Sequence, residues 1–149
     1  MTTSALQIRT ASYPVASSDA VHVLALHNTT SPKGMVWVWL GSDDAQLTNL
    51  LAAMPSAFSQ QPASAASRLG STSPSSSSNA HVSKLMGSQN DETGPRIAQR
   101  LAVKYGRPFF VSWNVPSDFY TEATGITDER ALEIERRLYA DIAQWLKAA

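Results

Sequence analysis

Two stretches of the chain alternate their side chains with a period of two and are rich in β-branched and aromatic residues, as strands are. They are residues 35–41 (MVWVWLG) and residues 108–115 (PFFVSWNV). Weaker patterns of the same kind predict strands over residues 5–10, 21–27 and 81–86. The turn sequence SPKG (residues 31–34) lies between two of these segments, so we expect a hairpin there.

Three segments carry the signals of helices. Residues 42–54 begin with a serine N-cap and two acidic residues, contain leucines at helical spacing, and are followed by Pro55. Residues 94–106 begin with Gly-Pro and end at a glycine, as many helices do. Residues 127–147 begin with a threonine and two acids and carry one apolar stripe, which predicts a long helix packed on a sheet.

The two strong strand segments have apolar side chains on both faces. In the first, aliphatic residues alternate with Trp37 and Trp39, and in the second Phe109 and Phe110 point to opposite faces. A strand with one face in water alternates apolar with polar residues instead. Three helices cover only one face of a sheet of this size. An uncovered second face would leave ~150–250 Å² of apolar surface in water for each tryptophan or phenylalanine.

These two-faced strands lead to a prediction of the architecture. We expect an α+β fold, with a mainly antiparallel β-sheet of about five to six strands and with helices on one face. We expect the second face to be used for dimerisation, which gives helix–sheet–sheet–helix layering in the dimer. In the alternative arrangement, the chain's own N-terminal segment or a helix covers that face.

A serine-rich segment divides the sequence. Ten of the 25 residues from 56 to 80 are serine, and only Arg68 among them is charged. So few large apolar groups cannot offset the backbone entropy that is lost on ordering. We therefore predict a single domain over residues 1–149 that is interrupted by a disordered insertion at about residues 59–80.

Composition and charge exclude several classes of function. Lys+Arg and Asp+Glu number 12 each, so the chain has no basic excess for binding nucleic acid or an anionic membrane. The absence of cysteine excludes disulfides and thiolate chemistry. Residues 1–10 lack the apolar core of a signal peptide, and no stretch is long enough to span a bilayer. We expect neither nucleic acid nor a membrane as a partner.

No catalytic constellation is found in the sequence. The histidines have no metal-ligand spacing, and no nucleophile elbow, phosphate loop or dinucleotide fingerprint is present. We therefore expect a protein that is not an enzyme and that binds no cofactor or metal. The remaining polar pattern is a row of basic residues on one helix face, Arg96, Arg100 and Lys104. Such a row is suited to acidic side chains of a partner, or else is a solvated face.

Five segments share their order and spacing with a known family. They are VWVWLG (36–41), QLTNLLAAM (46–54), KLMG (84–87), RIAQRLAVK (96–104) and FFVSWNV (109–115). Together they resemble the proteasome assembly chaperone 4 family, once the serine-rich segment is treated as an insertion. The resemblance implies a non-enzymatic chaperone of 20S proteasome core assembly, located in the cytoplasm and also in the nucleus. It also implies a heterodimer with assembly chaperone 3, in which the sheets of the two chaperones face each other. This heterodimer would bind alpha-type subunits, chiefly alpha-5, and promote alpha-ring formation.

Two contact surfaces are predicted for such a chaperone. The predicted chaperone-dimer interface consists of Trp37, Trp39, Phe109, Val111 and Trp113, with the opposite faces of the same strands as the alternative. The predicted contact with proteasome subunits consists of Arg96, Arg100 and Lys104. The rival hypotheses are a homodimeric scaffold with an unrelated partner, an enzyme that uses Ser112 or a histidine, and a small ligand-binding domain.

Overall fold

Six strands form one sheet, and two helices pack on it, within the residues that the structure describes. The computed structural model describes residues 6–16, 19–44, 46–56, 80–87, 92–115 and 129–147. The strands are β1 (Leu6–Ala16), β2 (Asp19–Asn28), β3 (Val36–Gly41), β4 (Leu50–Pro55), β5 (Ala80–Met86) and β6 (Phe109–Asn114). The helices are α1 (Thr93–Tyr105), which precedes β6, and α2 (Glu129–Lys147), which follows it.

The strand order in the sheet is β1-β2-β3-β6-β4-β5. β1, β2 and β3 follow one another as an antiparallel meander, and β4 and β5 form a second antiparallel pair. β6 lies between β3 and β4, parallel to β3 and antiparallel to β4. The described sheet is therefore mainly antiparallel, with its parallel pair at the centre.

Both helices pack against the same face of the sheet, which we call the inner face. Ala25, Val38, Val111 and Leu51 lie in register on four neighbouring strands of this face, and all four are buried. The helices complete this core with Ile97 and Leu101 from α1 and with Ile134, Leu138 and Ile142 from α2. At the edge of the sheet, the Tyr13 hydroxyl donates a 2.6 Å hydrogen bond to Asp141, which ties β1 to α2.

The predicted helix over residues 42–54 is wrong. Asp43 and Asp44 lie in a turn, and the later part of the segment forms strand β4 between β6 and β5. Leucine, alanine and methionine favour helices by less than ~1 kcal/mol per residue, so tertiary contacts override this preference. The contacts are those of Leu51 and Ala53, which are buried on the inner face beside β6.

The other predicted elements agree with the structure, with shifted ends. β2 and β3 form the predicted hairpin, and β5, α1, β6 and α2 coincide with predicted segments. β1 is longer than predicted, because it pairs with β2 from Leu6 to Ala16. The predicted cap Thr127 and residues 59–79 of the predicted insertion lie outside the described residues, whereas Ala80 begins β5. The α+β class is confirmed, with two described helices rather than three.

Candidate protein-binding face

The face of the sheet opposite the two described helices, which we call the outer face, carries a continuous strip of apolar side chains. Ile8, Leu26, Trp37, Phe110 and Ala52 lie in register across five neighbouring strands, and we call them the apolar row. Ile8 is 60% exposed, the next three are half-buried, and Ala52 is buried. The row spans roughly 20 Å, since neighbouring strands lie ~4.8 Å apart.

A second tryptophan extends this apolar surface toward one end of the strands. Trp39 stands opposite Leu24 of β2, and both side chains are half-buried. The Trp39 ring lies over Gly41, where an added Cβ would come within 2.4 Å of a ring atom. The ring Nε1 donates a hydrogen bond to the Gln46 carbonyl oxygen, 3.2 Å away. Glycine at position 41 therefore lets the ring lie close to the backbone, and the hydrogen bond orients it.

A polar network holds the connection that leads into β4. Asn114 Oδ1 accepts hydrogen bonds from the backbone N–H groups of Thr48 (2.9 Å) and Asn49 (3.1 Å) and from the Thr48 hydroxyl (2.6 Å). Asn114 Nδ2 donates to the Leu40 carbonyl oxygen at 3.2 Å and to Ser112 Oγ at 2.8 Å. The buried Ser112 hydroxyl donates to the Asn49 carbonyl oxygen at 2.6 Å. Both polar residues of the FFVSWNV motif thus fix this connection to β6.

On the helix side of the sheet, a buried carboxylate joins α1 to α2. Glu135 accepts hydrogen bonds from Arg96 Nη1 and Nη2 at 3.2 and 2.8 Å and from Arg100 Nη1 at 3.0 Å. The Tyr139 hydroxyl donates to the same carboxylate at 3.1 Å. Burial and the neighbouring Glu135 charge raise the pKa of Tyr139 to about 12. We call these four residues the helix clamp. Its two arginines compensate a carboxylate that would be costly to bury alone.

The five residues predicted to form the dimer interface lie on two different faces. Trp37 and Trp39 lie on the outer face, whereas Phe109, Val111 and Trp113 lie on the inner face. Phe109 and Val111 have no exposed surface, and Trp113 is almost fully buried. The prediction is therefore corrected for these three residues, because they belong to the core beneath the helices. For the two tryptophans, contact with a partner stays a prediction.

Sequence reasoning missed the side chains that accompany the two tryptophans on the outer face. Leu24 and Leu26 share one side of the predicted strand 21–27, so the local alternation contained a signal for them. Phe110 was missed because it, and not Phe109, stands opposite Trp37. Which of the two phenylalanines shares a face with Trp37 depends on the register between β3 and β6, and these strands are far apart in the sequence.

The predicted row of basic residues is partly engaged within the chain. Arg96 and Arg100 form salt bridges with Glu135. Lys104 is exposed, and its ammonium nitrogen lies 5.5 Å from the centre of the Tyr105 ring. Contact of this row with another protein stays a prediction. Within the row, Lys104 is the residue that pairs with no described carboxylate.

The described part of the chain contains neither a metal-binding cluster nor a membrane-spanning helix. No group of three or more histidine, aspartate or glutamate side chains is placed to hold a metal ion there. His22 and His27 lie on opposite faces of β2, and His22 Nε2 is 2.7 Å from Asp43 Oδ1. None of the described helices combines the length and the apolar character needed to cross a membrane.

The family of the chain follows from a match over its central region. Residues 21–115 match the sequence model of a family described as proteasome assembly chaperone 4, and this range is more than half of the chain. The chain belongs to this family. It is accordingly a chaperone of proteasome assembly. The matched range runs from β2 to β6 and contains every residue of the apolar row except Ile8.

A solved structure shares the fold of this family member. It is a chain from a crystal structure described as a novel chaperone complex for yeast 20S proteasome assembly, and the TM-score is 0.57. The likeness covers 93% of this chain and 98% of that chain, at 16% sequence identity. At this identity the likeness shows the fold alone. No curated protein sequence matches the chain.

Proposed function

We propose that this assembly chaperone forms a heterodimer with an assembly chaperone 3-like protein through its outer face. The observation that carries the proposal is the apolar row, in which Ile8 is exposed and Leu26, Trp37 and Phe110 are only half-buried, while both described helices pack on the inner face. Large contiguous apolar patches are uncommon on monomers, and interfaces concentrate aromatic side chains at their centre. A partner sheet laid on this face carries its own helices outward, which gives helix–sheet–sheet–helix layering.

We further propose that the pair binds alpha-type subunits of the 20S core, chiefly alpha-5, and promotes alpha-ring formation before beta subunits are added. A chaperone that holds one subunit raises the effective concentration of its correct neighbours. It therefore acts by binding and not by catalysis. We assign the contact with the alpha-type subunit to Arg96, Arg100 and Lys104, and the place of action to the cytoplasm and also the nucleus.

The heterodimer is tested by charge substitutions on the outer face. Ile8→Glu combined with Leu26→Glu should weaken the heterodimer at least ~10-fold, because two carboxylates would then be desolvated at the interface. Leu132→Glu is the matched control, since Leu132 is 47% exposed on α2 and away from the outer face. Native mass spectrometry of the chain co-expressed with an assembly chaperone 3-like protein measures the fraction of heterodimer.

Two results of this experiment would contradict the heterodimer. One is a parent chain that stays monomeric in the presence of its companion. The other is a parent chain that forms homodimers and ignores the companion, which would favour the homodimeric scaffold.

The contact with the alpha-type subunit is tested at Lys104, because Arg96 and Arg100 also stabilise the helix clamp. Lys104→Glu should weaken alpha-5 binding by the heterodimer roughly 3- to 10-fold and reduce its salt dependence, since a rim charge acts mainly on the association rate. Lys147→Glu at the end of α2 is the matched control. Surface plasmon resonance at several salt concentrations measures binding. Equal effects of the two substitutions would overturn this assignment and leave the heterodimer untouched.

A further inference from the structure

A group of basic side chains lies at one end of the inner face, next to the turn between β2 and β3. Gln7 of β1 stands opposite His27 of β2, and Arg9 lies two residues further along β1 on the same face. Arg107 precedes β6, and its Nη2 donates a 3.0 Å hydrogen bond to the Ser31 carbonyl oxygen of the turn. We call Arg9, His27 and Arg107 the basic cluster, and the neutral Gln7 lies beside it.

Several polar atoms of the basic cluster and of Gln7 are buried without partners. His27 is only 2% exposed and Arg107 only 6% exposed. The buried atoms Nε of Arg9, Nε of Arg107, Nε2 of His27 and Oε1 of Gln7 have no hydrogen-bond partner among the described residues. No described carboxylate forms an ion pair with either arginine. Buried polar atoms in proteins ordinarily have partners, so the Nε–H groups of the two arginines lack an acceptor here, whereas Gln7 Oε1 lacks a donor.

Both arginines of the basic cluster are close enough to His27 to influence its charge. Burial lowers the pKa of His27, and the positive charges of Arg107 and Arg9 lower it further. Burial also lowers the pKa of Arg107. A guanidinium that is removed from water without a counter-charge is strongly unfavourable. One negative group among the three basic side chains would offset both the desolvation of Arg107 and the repulsion between a protonated His27 and the two arginines.

We propose that Arg9, His27 and Arg107 form a binding site for an oxyanion, of the carboxylate or phosphate class. Guanidinium groups donate directed, charge-assisted hydrogen bonds to such ligands, and the histidine Nε2 donates another when it carries a proton. Arg9 is only partly buried and belongs to the edge strand β1, so the ligand enters from that edge. The site lies on the face opposite the apolar row and is independent of the proposed heterodimer.

The site is tested by anion titration of the full chain. Inorganic phosphate represents free phosphate, and acetate represents the carboxylate of an acidic side chain. Each anion replaces chloride at constant ionic strength, and a titration with sodium chloride alone is the reference. NMR follows the His27 ring resonances during each titration. We expect a saturable shift and a rise in melting temperature with at least one of the two, and that anion identifies the ligand class. No saturable response to either anion, or an equal response to chloride, would overturn the proposal.

Substitutions locate the response within the basic cluster. Arg9→Gln should weaken binding of the responding anion about 10-fold, the loss expected for a charge-assisted hydrogen bond. Arg136→Gln removes the same charge from an exposed arginine on α2 and should leave the affinity unchanged. Arg9→Lys keeps the charge, is the milder change if Arg9→Gln fails to fold, and should also weaken binding. Affinities that are unaltered in both Arg9 variants, or lowered equally by Arg136→Gln, would overturn the assignment.

Discussion

The inner and outer faces of the sheet belong to the same strands and are both apolar, yet only the inner face is covered in the described chain. On β6, Phe109 has no exposed surface on the inner face, whereas its neighbour Phe110 is half-buried on the outer face. The types of amino acid therefore do not distinguish the core from the candidate binding surface. The core differs from the candidate binding surface in what packs on it. α1 and α2 pack on the inner face, and we propose that a second chain packs on the outer face.

The adjacent pair Phe109 and Phe110 gives the largest expected contrast between the two faces. Phe109→Ala should lower the free energy of unfolding by ~3–5 kcal/mol, because it leaves a cavity in the core where Phe109 meets the Tyr105 ring. Phe110→Ala should lower it by only ~1 kcal/mol in the free chain, since its side chain already contacts water. Urea denaturation followed by circular dichroism measures both values.

The same pair should behave differently toward the companion chain. Phe110→Ala should weaken the heterodimer by ~10-fold or more, as expected for an aromatic side chain near the centre of an interface. If the two substitutions instead lowered the stability of the free chain equally, the outer face would already be covered by this chain.

Substitution in the helix clamp should have the next largest effect on the free energy of unfolding, and it tests how the two helices are held together on the inner face. Glu135→Gln should lower the free energy of unfolding by ~1–3 kcal/mol, because Arg96 and Arg100 lose a buried carboxylate while keeping some contact with water. Glu133→Gln is the matched control, since that carboxylate pairs with Arg137 on the exposed side of α2, and its loss should cost less. Thermal denaturation at neutral pH measures both variants. An equal loss for Glu133→Gln would contradict the role given to the clamp.

Substitution of His27 should have the smallest effect on the free energy of unfolding, and the size of this effect depends on pH. Burial first, and then the charges of Arg107 and Arg9, lower the pKa of His27 from its ordinary value of 6.5. Between the lowered pKa and 6.5, the unfolded chain binds a proton that the folded chain does not, so stability falls as the pH drops through this range. His27→Gln should remove this part of the pH dependence. Urea midpoints above and below pH 6.5, in buffers free of phosphate and carboxylate, measure it.

The control for His27 is a second histidine in a different environment. His81→Gln makes the same change at an exposed position on β5, and its urea midpoints are the reference for those of His27→Gln. The same pH dependence with and without His27 would contradict the burial of an uncharged imidazole at the end of the inner face.

Much of the sheet was predictable because its patterns are local. β2, β3, β5 and β6 each carry an alternation or a β-rich composition that can be read within one segment. β4 carries no such pattern, since its leucines, alanines and methionine favour a helix and are apolar on both sides. Its identity as a strand depends on pairing with β6 and β5, and a local pattern does not contain that pairing.

The candidate binding face was predictable only in part, for a related reason. The alternation placed Trp37 and Trp39 together on one side of β3, as the structure also has them. It did not tell which side of β6 continues that surface, because a shift of one residue in register exchanges Phe109 with Phe110. The basic cluster was not predicted at all, since Arg9, His27 and Arg107 come from three separate segments that only the folded chain brings together.

The position of β6 has a consequence for the order in which the protein folds during synthesis. β1, β2 and β3 pair with their neighbours in the sequence, and so do β4 and β5. In the described sheet these two groups are joined only through β6, which is the last strand along the chain. A nascent chain that ends before Phe109 thus contains two separate β units with unpaired edges. The described sheet closes only after β6 has left the ribosome, which makes its central contacts slow to form.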